Sequence, residues 1–321
     1  MPRVLLLSLS ILAAGCCSGR WDTIPERSRE DFPSIYPEKR LLFDDAMEIR
    51  YVEAGQGFPI VFIHGIGADS HQWNLNLPWY AGAFRVIAAD MPGHGKSSRP
   101  DGYPYSVDRS AEAVVALLDH EKIDRAVLVG NSMGGLIALL VAIRHPERVE
   151  RLVLVDAAGG AELGFLDQRL AGSALFASKV APLGLASECL VREGTSYVFE
   201  DPESLEGNPI YEGYIRKTLL LFSDPGERDR YQAMLSATLE SILDCESYKQ
   251  VGAIGAPTLV LWGEDDFIID VDYADEIAKT MHAKLAVHPE CGHVPSLEVP
   301  DWFHAQVDPF LADLAHRGPT P

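Results

Sequence analysis

The run Gly130-Asn131-Ser132-Met133-Gly134 sets a serine between two glycines, directly after apolar Val127-Leu128-Val129 and directly before a helix-forming stretch. A serine hydroxyl attacks poorly until a base takes its proton. A tight strand-to-helix turn exposes it and brings helix amide N–H groups close to the negative charge that develops during attack. Gly130 and Gly134 satisfy the steric demand of such a turn. The expected base is His293, on the loop Cys291-Gly292-His293-Val294-Pro295, and the acid that orients it lies in Trp262-Gly263-Glu264-Asp265-Asp266. Nucleophile, acid and base then follow one another along the chain in the order expected of an acyl-transfer triad on a parallel sheet. The residues alone leave Asp265 and Asp266 both open as the acid. His282 and His288 read as a helix end and a strand residue. With Cys291 and His293 they lack a compact repeated ligand spacing, so no metal is implied, and this chemistry needs no cofactor.

These groups need a scaffold that brings distant strand ends together. Ile49 to Glu53 reads as one strand of an early hairpin, and Pro59 to Ile63, Phe84 to Ala89, Ala126 to Val129 and Leu152 to Val155 read as short apolar strands. Runs of this kind suit parallel strands covered on both faces. Between them, a helix capped by Ser106 is expected to reach about His120, and a second is expected over Met133 to Arg144, ended by His145-Pro146. The strand pattern resumes at Thr258 to Trp262 and Lys284 to Val287. It closes with a helix from about Trp302 to Leu314, bent at Pro309. The alternation predicts an α/β fold: a mostly parallel sheet with helices on both faces, into which a helical cap at residues 160–248 is inserted. The core is then 40–159 and 249–317. The cap supplies apolar Phe165, Leu166, Leu170, Leu175, Phe176, Leu219, Leu220, Leu221 and Phe222, enough to line a pocket for an acyl chain or ring.

From about residue 40 onward the chain resembles the α/β-hydrolase family. The resemblance rests on His64-Gly65, Asp90-Met91-Pro92-Gly93-His94-Gly95-Lys96-Ser97, the serine elbow, Gly263-Glu264-Asp265-Asp266 and Gly292-His293-Val294-Pro295-Ser296-Leu297-Glu298, in that order. It implies an eight-stranded sheet, Asp266 rather than Asp265 as the acid, His293 as the base, and a structural loop around His94. An oxyanion hole is expected from the backbone amides of Met133 and Ile66.

Two subfamilies compete. The elbow Gly130 to Gly135, Val155-Asp156-Ala157-Ala158-Gly159, Glu206-Gly207-Asn208-Pro209 and the N-terminus are similar to small bacterial envelope lipases and esterases. The same elbow also resembles hydrolases that cleave carbon–carbon bonds in ring-fission products. Those usually carry tryptophan after the histidine and a fuller glycine-rich oxyanion loop, where this chain has Val294 and His64-Gly65-Ile66-Gly67. The expectation is therefore a serine hydrolase of carboxylic esters with an apolar acyl or aromatic part, working through an acyl-enzyme. Carbon–carbon hydrolysis is the alternative, followed by an aminopeptidase, a cofactor-free haloperoxidase or an inactive envelope binding protein. Epoxide hydrolases and haloalkane dehalogenases usually have aspartate where Ser132 stands.

The first residues are of another kind. Arg3, the apolar run Val4 to Ala14 and small residues before Cys16 have the proportions of an export signal, too short for a comfortable membrane span of roughly 20 residues. Leu12-Ala13-Ala14-Gly15-Cys16 resembles a lipoprotein signal, which would make 1–15 the signal, Cys16 the lipidated N-terminus and 16–39 a proline-bearing tether. That implies a lipid-anchored envelope protein, with secretion or a periplasmic location as the alternative. Cys17, Cys189, Cys245 and Cys291 give no disulfide framework and leave pairing open. With 27 Lys and Arg against 47 Asp and Glu, the formal net charge of -20 repels phosphate backbones and argues against a nucleic-acid partner.

Overall fold

The computed structural model describes residues 36–160, 191–192, 198–201, 205 and 207–317. The expected signal, Cys16, most of the tether and cap residues Phe165 to Phe176 lie outside them, as do Cys17 and Cys189. The described cysteines, Cys245 and Cys291, are both free.

Eight strands form one sheet: β1 (Glu38–Leu42), β2 (Glu48–Ala54), β3 (Pro59–Ile63), β4 (Arg85–Ala89), β5 (Ala126–Asn131), β6 (Val149–Val155), β7 (Thr258–Gly263) and β8 (Lys284–His288). Their order is β1-β2-β4-β3-β5-β6-β7-β8, antiparallel at β1/β2 and β2/β4 and parallel from β4 to β8. The first strand begins at Glu38, inside the stretch expected to be tether. Its burial shows why it was hard to read: four of the five residues of Glu38-Lys39-Arg40-Leu41-Leu42 are exposed, so no apolar run marks it. It is held instead by its ladder to β2 and by the buried Arg50 guanidinium, which reaches Glu38 at 3.0 Å.

The central strands are apolar at successive positions because both faces are covered. Val61, Ile63, Leu128, Leu152, Leu154 and Val260 pack to one side, against helices α2 (Val107–His120), α3 (Met133–Arg144) and α6 (Asp272–Met281). Their neighbours Ile60, Phe62, Val127, Val129, Val153 and Leu259 pack to the other, against α1 (Leu77–Tyr80) and α8 (Pro300–Leu311). This is the two-residue period of a strand with each half of the period spent on a separate core. Ser106 caps α2 as its sequence suggests, accepting from the Arg109 amide at 3.1 Å, an interaction worth about 1 kcal/mol. Helix α3 is buried from Met133 through Ala142, which suits a helix packed directly on the sheet.

Between β6 and β7, among the described residues, lie helices α4 (Pro209–Ser223) and α5 (Pro225–Leu243). Pro209 and Pro225 start these helices rather than interrupt them. Asn208 accepts from Ile210, Asp224 accepts from Gly226 and Glu227, and proline fits the first turn, where no N–H is needed. Val191, Phe199, Leu205, Ile210, Tyr211 and Ile215 form a third apolar cluster with Val294 and Leu297, joining this insertion to the short helix α7 (Pro295–Glu298) after β8. Among the described residues no helix is long and apolar enough to cross a membrane.

Candidate active site

Parallel neighbours in one sheet end at the same edge, and four of these ends carry the site. The loop after β3 holds His64 to Asp69, Ser132 follows β5, Asp266 lies in the loop after β7, and His293 lies in the loop after β8. Ser132 adopts φ 55 and ψ −119, a conformation costly for any residue with a Cβ, on the order of 1–3 kcal/mol. The surroundings hold it there. Its N–H donates to Val155 at 3.0 Å, and its carbonyl accepts from Gly135 at 2.9 Å and Ala158 at 3.1 Å. The glycines are obligatory: a Cβ at Gly130 would lie 2.2 Å from the Gly134 carbonyl oxygen, and one at Gly134 would lie 2.1 Å from that of Ile63.

His293 Nδ1 lies 2.7 Å from Asp266 Oδ2, and both side chains are nearly buried. Asp266 Oδ1 accepts from the amides of Ile268 at 2.7 Å and Ile269 at 3.0 Å. Asp265 stands apart from this contact and is half-buried, so of the two aspartates left open by residue type it is Asp266 that meets His293. Ser132 and His293 line the same cavity of about 440 Å³, and Ser132 Oγ makes no hydrogen bond among the described residues. The cluster has the composition of a catalytic triad, with a hydroxyl and an imidazole lining one cavity and a carboxylate bonded to the imidazole.

Ile66 also lines the cavity, while Met133 opens α3 immediately after Ser132. Neither backbone N–H finds a protein acceptor among the described residues, as donors reserved for an oxyanion would require.

Three side chains that the motif reading did not assign hold the strand ends together. Gln72 accepts from the Gly65 amide at 3.2 Å and donates to Asn131 Oδ1 at 2.8 Å. Asn131 donates to the carbonyls of Val155 at 3.1 Å and His293 at 2.9 Å. Glu298 accepts from the amides of Gly292 at 3.1 Å and Val294 at 3.0 Å, bracketing His293 from both sides. Burial raises the Glu298 carboxyl above its ordinary range against the pull of those amides, and it pushes the neighbouring Cys291 thiol up as well. Gln72 carried no signal in the sequence. Glu298 lay in a recognised motif without an assigned role.

Two further histidines, His64 and His94, are buried beside the site and tied to the backbone. His64 Nε2 accepts from the Met91 amide at 2.9 Å, so the ring proton is on Nδ1, donating to the Gly65 carbonyl at 2.7 Å. Burial lowers the pKa of His64 and drops that of His94 well below the ordinary value. His94 belongs to a loop fastened by Asp90, which accepts from the amides of Ser70 and Lys96 at 2.9 Å. On the cavity wall, burial alone would raise the Asp69 carboxyl, but Lys217 and His71 outweigh it and hold the group well below its usual range.

His282 closes α6 and His288 ends β8. Neither they nor Cys291 join a metal-like cluster with His293 among the described residues. The cluster that does form is Asp156, Asp266 and His293. It does not suit a cation, because the 2.7 Å contact between His293 Nδ1 and Asp266 Oδ2 already satisfies both atoms.

Comparison with known proteins points the same way. A family model described as "alpha/beta hydrolase fold" matches residues 59–300. The 2-hydroxymuconate semialdehyde hydrolase of Pseudomonas sp. (strain CF600) is 34% identical over 275 residues, covering 81% of this chain and 89% of that protein. The dihydrolipoyllysine-residue acetyltransferase component of the acetoin cleaving system of Pseudomonas putida is also 34% identical, over 82% of this chain but only 66% of its own length. Among solved structures, a membrane phospholipase A superposes with a TM-score of 0.73 at 27% identity, covering 98% of this chain and 100% of that one. Further curated relatives at 28–32% identity are also hydrolases of this ring-fission product type.

Proposed function

Because the chain belongs to the α/β-hydrolase fold family, we propose that it hydrolyses a carbon–carbon bond in a small ring-fission product, with Ser132 as nucleophile, His293 as base and Asp266 as acid. This moves away from the ester hydrolysis expected from Val294 and the N-terminal signal. The observation that carries it is the recurrence of 2-hydroxy-6-oxo-dienoate and 2-hydroxymuconate semialdehyde hydrolases among the curated relatives. The cavity lining agrees with such a substrate: Phe199, Ile210, Leu220 and Leu297 offer an apolar wall, and Arg216 offers a cation to a carboxylate.

A carbon leaving group departs only as a stabilised carbanion, which the 2-hydroxydienoate supplies once its enol proton has moved to C5 to give a vinylogous diketone. His293 takes the proton of Ser132 as Oγ adds to the ketone carbon, and the amides of Ile66 and Met133 hold the oxyanion. The carbon–carbon bond then breaks, its electron pair entering the dienolate, which takes the proton from His293. Water, activated by the same histidine, releases the acid from Ser132.

Ester hydrolysis by the same groups is the second reading, favoured by the end-to-end match to the membrane phospholipase A. The Leu12 to Cys16 pattern supports a lipid anchor on Cys16, and the same match supports a membrane location. Palmitate incorporation into the full chain, lost in Cys16→Ser, is the expected result; unchanged incorporation removes Cys16 as the site.

The reaction class is tested by comparing kcat/KM of the full chain on 2-hydroxy-6-oxo-6-phenylhexa-2,4-dienoate and on nitrophenyl esters from acetyl to palmitoyl. The dienoate is expected to lead by roughly tenfold or more. The reverse ranking transfers the assignment to ester hydrolysis, and turnover surviving in Ser132→Ala overturns both.

A further inference from the structure

Asp156 is a fourth buried ionisable group at the site, and the mechanism above does not use it. It follows β6 directly, between the strand ends that carry Ser132 and Asp266, and it adopts φ 44 in the left-handed region. Its carboxyl, that of Asp266 and the imidazole of His293 have atoms all within 4.8 Å of one another.

Two carboxylates this close, both taken out of water, cannot both be ionised at modest cost, so the pair shares a proton. The hydrogen bonds decide where it rests. Asp266 accepts from three donors, the amides of Ile268 and Ile269 and the imidazole of His293. Each of these favours the charged form. Among the described residues Asp156 accepts from one, the Gly263 amide at 2.9 Å on Oδ1, and its Oδ2 is buried without a partner when treated as an acceptor. A bare buried carboxylate oxygen is costly, whereas a hydroxyl there has an acceptor in Asp266.

We propose that Asp156 holds a proton while Asp266 is ionised, and that its Oδ2 hydroxyl donates to the Asp266 carboxylate, making Asp156 a positioning residue for the acid behind His293. Burial raises the Asp156 carboxyl well above its usual range, and the Asp266 charge and a hydrogen bond to Asp266 push it the same way, against the Gly263 amide. Among the described residues, the other ionisable groups acting on this pocket are Glu298, whose charge also acts on Asp156, and Cys291, on which both aspartates act. Neither supplies a positive charge that would ionise Asp156. With Asp156 neutral, the imidazolium formed when Ser132 loses its proton faces one carboxylate rather than two.

The proposal rests on the triad reading, and its test separates the two. In the infrared spectrum of the full chain at neutral pH, the carbonyl stretch of a neutral carboxylic acid is expected in the wild type and absent in Asp156→Asn; Glu298→Gln identifies any band from that neighbour. This readout requires no activity. Loss of no acid band on Asp156→Asn overturns the proposal.

The second readout is the pH profile of fluorophosphonate labelling at Ser132, whose acid limb reports protonation of the base. Replacing a neutral acid by a neutral amide is expected to leave that limb within about 0.3 pH unit of its wild-type position. Removing a carboxylate instead would withdraw negative charge from the imidazolium, and a limb displaced to lower pH by about one unit would overturn the proposal. Asp156→Leu, which cannot donate, is expected to label roughly tenfold more slowly than Asp156→Asn, and equal rates would count against a positioning role. If the wild type fails to label at all, the serine assignment fails, while the infrared result still decides the state of Asp156.

Discussion

The side-chain amide of Asn131 donates to the main-chain carbonyl of His293 at 2.9 Å, so the residue preceding the proposed nucleophile holds the backbone of the proposed base. Through Gln72 the same side chain is tied to the Gly65 amide on the loop after β3. One buried amide thus fixes three strand ends relative to one another. Truncation in Asn131→Ala strands the Gln72 amide and frees the His293 loop. It is expected to lower kcat about 10–100-fold with a smaller change in KM, because misplacement acts on the transition state. Steady-state kinetics check this, and an unchanged kcat would remove Asn131 from the positioning network.

Asp265 and Asp266 differ by one position and by everything that matters to an imidazole. Asp266→Ala is expected to reduce kcat by roughly three to four orders of magnitude, as loss of a triad acid does. Asp265→Ala, at a half-buried position away from the Asp266–His293 contact, should stay within a few-fold of wild type. Equal losses would mean that the 2.7 Å contact is not the working one.

The buried histidines make stability depend on pH in a definite direction. His94 stays neutral in the fold, because burial drops its pKa well below 6.5, while in the unfolded chain it titrates near 6.5. As pH falls below that value, the unfolded state gains a proton that the folded state refuses. Stability is lost progressively down to the folded pKa, by about 1.4 kcal/mol per pH unit. His94→Gln keeps an amide to donate to Pro92 and does not titrate. Urea denaturation at pH 6.5 and 5.0 should show a flatter loss in the variant. Parallel slopes would show that His94 is protonated in the fold.

Lys217 on α4 pairs with Asp69 on the loop that carries Ile66, and Tyr231 on α5 donates to the Gly67 carbonyl at 3.0 Å. The inserted helices therefore grip the loop expected to supply one oxyanion donor. Lys217→Met leaves the buried Asp69 with His71 as its remaining side-chain donor among the described residues. Allowing for the partial exposure of Lys217, a loss of about 1–2 kcal/mol in stability is expected, with a fall in kcat/KM. Unchanged values in both would show that the clamp is dispensable.

Much of this was legible in the chain because the relevant signals are local. Apolar runs bounded by turns marked the central strands, Ser106 marked a helix start, and glycines around Ser132 marked a turn in which only hydrogen fits. The exposed Glu38–Leu42 strand escaped because a sheet edge imposes no apolar period. By residue type alone Pro209 and Pro225 suit a helix start and an interruption equally; only the capping geometry of Asn208 and Asp224 tells them apart.

By itself the sequence determined the strand and helix order and the identity of Ser132 and His293 as candidates, because turn sterics and side-chain chemistry belong to individual residues. Which aspartate faces His293, how Asn131 and Gln72 join strand ends, and why Asp156 shares a pocket with Asp266 were decided only by the tertiary structure. Those are contacts between residues distant in the chain, and their energies depend on burial and on which donors converge, quantities that no local spacing carries.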